Sequence, residues 1–168
     1  MLQLIGSLLI VGGFGAVGVA ASAELKRRVD TLSSMITALE VMASEISYKL
    51  SPLRELLTLL SREDGAVGRF FSALAADLEG EPESRFFDQW CKRLGLLPGL
   101  TEDDRQILKE AGRFLGAYET GEQVKALGYA ARRLSQRLTG AEAERVQKGR
   151  LYRTMGAGLG LLAVLLIL

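Results

Sequence analysis

Charge is missing from both ends of this chain. All 21 basic and 20 acidic side chains fall between Glu24 and Arg153, which leaves the first 23 residues and the last 15 without any. A hydrocarbon core about 30 Å thick needs roughly 20 apolar residues of helix to cross it. Leu2 to Ala23, LQLIGSLLIVGGFGAVGVAASA, supplies 22 residues with only Gln3, Ser7 and Ser22 notably polar. The last 15 residues give roughly 22 Å of helix, or about 27 Å counted from Leu151. Arg153 would then snorkel towards the headgroups, with Tyr152 at the interface. The expected organisation is a transmembrane helix over 1–23, a cytoplasmic helical-bundle domain over 24–150 and a second transmembrane helix over 151–168.

The flanking cations orient this arrangement. Lys26, Arg27 and Arg28 follow the first apolar run, and Lys148, Arg150 and Arg153 precede the second. Positive loops stay on the cytoplasmic side, so these six residues set a hairpin topology with both termini on the opposite face. An alternative is an exported helical protein anchored only by its C-terminus, its leader cleaved at Ala21-Ser22-Ala23, which fits a small-x-small cleavage pattern. Against it, no Lys or Arg precedes the apolar run.

Gly13, Gly15 and Gly18 spell G-x-G-x-x-G, with Glu40 some way downstream, as a dinucleotide-binding turn would have it. That fingerprint needs a short strand before it and a second strand after its helix. Here the residues after Ala23 continue in a helical pattern that contains Glu40, so the context is absent. In lipid, small residues let helix backbones approach closely. Gly12 and Ala16, followed by Ala20, and Gly156 with Gly160 at the far end, have that small-xxx-small spacing. They are candidates for packing of the spans on each other or on a partner's helices. The plainer reading is that glycine is common in membrane helices.

The composition removes most catalytic chemistry. There is no histidine and one cysteine, Cys91, so the commonest general base and metal ligand are missing and no internal disulfide or cysteine-pair zinc site can form. Cys91 sits at helical spacing from apolar neighbours, where a free cysteine packs as a small apolar residue. A net charge of +1 implies no bulk attraction to nucleic acid. Glu40 and Glu45 are the carboxylates closest to an acid–base pair, but they read as a polar helix face, Glu45 being four residues from Lys49 and suited to an ion pair. The expectation is no enzyme, no cofactor and no metal.

Between Glu24 and Arg153 the apolar residues recur at three and four, the helical period. Val29, Leu32, Ile36, Leu39, Ala43, Ile46 and Leu50 form a heptad seam on a first long helix. Ser51-Pro52 stops it and starts a second helix, about 52–63, that Asp64-Gly65 ends. A third covers about 66–79. Pro82 opens a fourth whose buried face would be Phe86, Phe87, Trp90 and Leu94. After the GLLPGL loop, Thr101 caps a fifth helix reaching about Tyr118, with TEDD placing three acids at the positive end of its dipole, a capping arrangement rather than a metal site. The last helix starts after Gly121, carries Leu127, Ala131, Leu134 and Leu138 on its apolar side, and runs into the second span. Its Arg132, Arg133 and Arg137 are a basic set that either meets an acidic partner or lipid headgroups, or forms a solvated face. The fold class is thus all-α, a six-helix antiparallel bundle flanked by two transmembrane helices.

The opening MLQLIG, the stretch ALEVMASEISYKLSPLREL and the closing GLGLLAVLLIL resemble the stage III sporulation protein AB family, in order and position across nearly the whole chain. The resemblance implies a two-span protein of endospore-forming bacteria in the mother-cell membrane, its helical domain in the mother-cell cytoplasm. It is similar to the platform proteins of type II secretion and type IV pilus machines. It implies coupling of a secretion-type ATPase, the sporulation protein AA, to a channel between mother cell and forespore, with other channel subunits and further copies of the chain as possible partners. No catalytic residue is carried over.

Overall fold

A 48-residue helix, α1 (Leu2–Lys49), opens the chain. It has no proline and no charge before Glu24, so nothing interrupts its hydrogen-bond ladder. In the computed structural model five more helices follow: α2 (Leu53–Leu60), α3 (Gly65–Asp77), α4 (Phe86–Leu96), α5 (Glu102–Gly112) and a second 48-residue helix, α6 (Thr120–Ile167). The structure describes residues 2–79 and 85–167, with side chains described at 20–79 and 85–149. Among the described residues there is no strand, so the all-helical class with six helices stands. Among them, too, no helix is long and apolar enough to cross a membrane. The expected spans at 1–23 and 151–168 lie, apart from residues 20–23, outside the described side chains.

The chain divides into two compact units. One is Arg28–Thr139; the other comprises Met1–Arg27 with Gly140–Leu168. In the first, α1 buries Val29, Leu32, Met35, Ala38, Leu39, Met42 and Ile46. This stripe is wider than the seam read from the heptad. Ile36 and Ala43 are only half-buried and Leu50 is exposed, while Met35, Ala38 and Met42 go to the core. A helix serving a globular core buries a broader face than the two positions per heptad of a coiled coil.

Leu50 ends α1 with a positive φ of 54°, a left-handed residue of the kind that terminates helices. Pro52 then caps α2, its carbonyl accepting from the amides of Glu55 (3.0 Å) and Leu56 (3.2 Å). The centre of the domain is aromatic. Trp90 is fully buried against Phe70, Phe71 and Phe86, with ring centroids 5.2, 6.2 and 5.6 Å away. Its indole N–H donates to the Leu108 carbonyl at 3.0 Å, as a buried indole requires. Gly112 has to be glycine here, because the Trp90 ring occupies the space a Cβ would need. Phe87 does not join this face; it is half-buried, with the Arg113 guanidinium 5.5 Å from its ring centroid.

Two helices end well short of the sequence reading. Helix α2 stops at Leu60 rather than about 63, and α5 stops at Gly112 rather than Tyr118. After Gly112 the chain turns through Gly116, whose φ is 72°. Helices α4 and α5 run antiparallel, since Leu94 meets Arg105 and Trp90 meets Leu108. The α3–α4 pairs instead ascend together, Phe70 with Trp90 and Asp77 with Arg93. This crossing departs from the antiparallel arrangement expected throughout.

Candidate functional site

The first turn of α5 holds Asp104, the one fully buried charge among the described residues. Thr101 takes up extended backbone and caps the helix, its hydroxyl accepting from the Asp104 amide. Asp104 answers by accepting from the Thr101 amide at 2.9 Å and from the Thr101 hydroxyl at 2.7 Å. This closes the reciprocal box expected of a hydroxyl residue followed three positions later by an acid. The other lone pairs of Asp104 face arginines from two further helices. Arg28 of α1 places Nη1 3.0 Å from Oδ2, and Arg137 of α6 donates from Nε to Oδ1 at 3.0 Å. Arg137 also donates from Nη2 to Asp103 at 2.7 Å.

Asp104 has 0% relative exposure. Burial pushes its carboxyl pKa upwards, but the hydrogen bonds from Thr101 and Arg137 and the charge of Arg28 outweigh it, and the net direction is down. The Arg137 guanidinium is shifted up, chiefly by its hydrogen bonds to Asp104 and then Asp103. A buried carboxylate with every oxygen engaged is a structural joint: it ties α1, α5 and α6 at one level. Among the described residues no group of three acidic, histidine or cysteine side chains could hold a metal ion.

Residues 3–168 match the stage III sporulation protein AB family. The chain belongs to that family. Stage III sporulation protein AB of Bacillus subtilis (strain 168) is 24% identical over 171 residues, covering 100% of each chain. No solved structure matches.

In this family member the sequence-predicted residues fall in different surroundings. Of the basic set on α6, Arg133 donates to Glu110 of α5 at 2.9 Å and lies 5.5 Å from the Tyr129 ring centroid. Arg137 belongs to the joint, and Arg132 is exposed with no ion pair among the described residues. Of the cations expected to set topology, Lys26 is exposed, Arg27 pairs with Glu24 at 3.3 Å, and Lys148 pairs with Glu144. Arg28 alone of its trio turns inward. Arg150 and Arg153, with Gly12, Ala16, Gly156 and Gly160, lie outside the described side chains.

The Glu45–Lys49 pair forms at 2.8 Å, and Ser51 adds a hydroxyl to the same carboxylate at 3.2 Å. Cys91 is half-buried on α4, and burial raises its thiol pKa, which suits packing over reactivity.

The joint itself was not foreseen, although the sequence carried a signal for it. Arg28 continues the buried stripe of α1 backwards, four residues before Leu32 and seven before Met35. Arg137 sits likewise three after Leu134 and four before Ala141, both buried. A charge on an inward-facing position demands an opposite charge, and the third acid of TEDD supplies it.

Proposed function

We propose that this chain is a non-enzymatic membrane platform of a sporulation-specific, secretion-like complex between mother cell and forespore. Its helical domain lies in the mother-cell cytoplasm, where it couples a secretion-type ATPase, the sporulation protein AA, to the channel subunits. Family membership supports the sporulation role. The observation that carries the membrane reading is the exclusion of charge from residues 1–23 and 154–168. Those two runs sit on α1 and α6, the same two helices that Asp104 joins inside the bundle.

The test has three arms. Full-length protein should float with vesicles and resist carbonate extraction, and N-terminal sequencing should find Met1 or Leu2. A mature end after Ala23 would favour the exported, singly anchored alternative. Deletion in a spore-former should stall forespore development after engulfment, and the ATPase should lose its membrane association. Normal sporulation without the protein rejects the platform role.

A further inference from the structure

A pocket of about 170 Å³ opens between α1, the end of α2 and the start of α3. Its floor is apolar, made by Leu60, Val67 and Phe71, all buried. One wall is a row of hydroxyls on α1, from Ser33, Ser34 and Thr37. Glu63 and Asp64, in the turn after α2, complete the lining. Sites for drug-sized molecules occupy roughly 300–1,000 Å³, so this smaller space suits a single side chain.

The acidic rim is braced. Gly65 takes a positive φ of 90°, and the Glu63 carbonyl lies where a Cβ on Gly68 would stand, so the turn is pressed against α3. Asp64 holds the N-cap position of α3 without making a capping bond, which leaves its carboxylate unspent on the helix. Neither Glu63 nor Asp64 has an ion pair among the described residues.

The surrounding charge chooses the occupant. Helix α1 carries no cation from Val29 to Tyr48. Asp30, one turn before Ser33 and Ser34, and Glu40, one turn after Thr37, are exposed, while Glu45 is taken by Lys49. On α3, Arg69 stands two residues from both Val67 and Phe71, on the side of that helix away from the pocket. Arg62 is the cation of the turn itself, exposed and outside the lining. Asp30, Glu40, Glu63 and Asp64 outweigh it and repel phosphate, whether of a lipid headgroup or of a nucleic acid. No group of three metal-ligating side chains occurs among the described residues, so a metal ion does not answer either. A side chain with an apolar stem and a cationic end satisfies both floor and rim. Interfaces use such pockets for buried anchors, arginine prominent among them. We propose that the pocket receives a lysine or arginine side chain of a protein partner, its stem on the apolar floor and its charge beside Glu63 and Asp64. This rests on the platform reading above and adds to it the chemistry of one partner.

Cross-linking in sporulating cells tests it, with photoreactive benzoylphenylalanine placed in the full-length chain at Ser34 or, as control, at Gln106, exposed on α5. The Ser34 probe should capture a different protein, at a peptide holding a Lys or Arg, and the Gln106 probe should not capture that peptide. Glu63→Lys with Asp64→Asn should cut both the cross-link and the heat-resistant spore count about tenfold or more, by setting cation against cation. Asparagine keeps the N-cap preference, and far-UV circular dichroism should show an unchanged helix content. Changing the captured Lys or Arg of the partner to Glu should restore both readouts, which it would not do for a bundle that had merely lost its fold. A Ser34 probe that captures only lipid, another copy of this chain or a peptide without a basic residue overturns the pocket's role, as does capture no greater than from Gln106. Each of these leaves the platform role intact where deletion of the protein still blocks sporulation. Normal sporulation after deletion overturns both.

Discussion

The Trp90 cluster and the Asp104 joint are both shielded from water, and they are held by opposite kinds of force. Around Trp90 three phenylalanines, Leu94 and Leu108 fill space, and their attraction is non-directional and grows with area. Around Asp104 a handful of directed bonds fixes three helices to a common level. Apolar packing tolerates exchange among residues of similar volume, whereas a buried charge tolerates no missing partner. The aromatic region therefore supplies stability, and the joint supplies register between α1 and α6.

The largest expected effect is at the aromatic centre. Trp90→Ala should cost about 4 kcal/mol in urea unfolding, through lost burial plus the cavity left behind. Next comes Asp104→Asn, at about 3 kcal/mol, because Arg28 loses its counter-charge and Arg137 keeps only the exposed Asp103. Triple replacement of Arg28, Asp104 and Arg137 by leucine should recover much of that loss, as apolar substitutes for buried ion pairs do, yet should impair sporulation if register is what the joint provides. If Asp104→Asn proves costlier than Trp90→Ala, the division of labour between the two regions is wrong.

Acid sharpens the comparison. The folded Asp104 carboxyl titrates below its ordinary value near 4. Its contribution is therefore complete above that ordinary value and is lost as pH falls through the depressed folded value, where the unfolded chain binds the proton first. Unfolding midpoints measured from pH 6 down to pH 2 should drop more steeply in the parent than in Asp104→Asn, and Trp90→Ala should keep the parental slope.

Two smaller effects complete the series. Gly112→Ala should destabilise by about 2 kcal/mol through overpacking against the indole. Leu50→Gly should stabilise by about 0.5 kcal/mol in thermal melts, since glycine accepts the left-handed conformation without steric cost.

Much of the helical domain was legible because its signals are local. The Ser51-Pro52 break, the Thr101 cap and the Glu45–Lys49 pair each depend on residues within one helical turn, and each appears in the structure. The readings that changed depend on other elements. Phe87 reads as a core aromatic by spacing but meets Arg113 from beyond α5, and Arg133 reads as a free cation until Glu110 comes alongside. The width of the buried stripe on α1 likewise depends on how many neighbours a helix has, which its own periodicity does not encode.

By itself the order of amino acids determined the all-helical class, the number of helices and the segregation of charge from both ends, because turn chemistry, helical period and ionisation are properties of short stretches. Only the tertiary structure decided that Arg28, Asp104 and Arg137 form one joint. Residues 76 and 33 positions apart acquire a shared environment only when their helices pack, and burial, the condition that makes such a charge cluster consequential, does not exist in the extended chain.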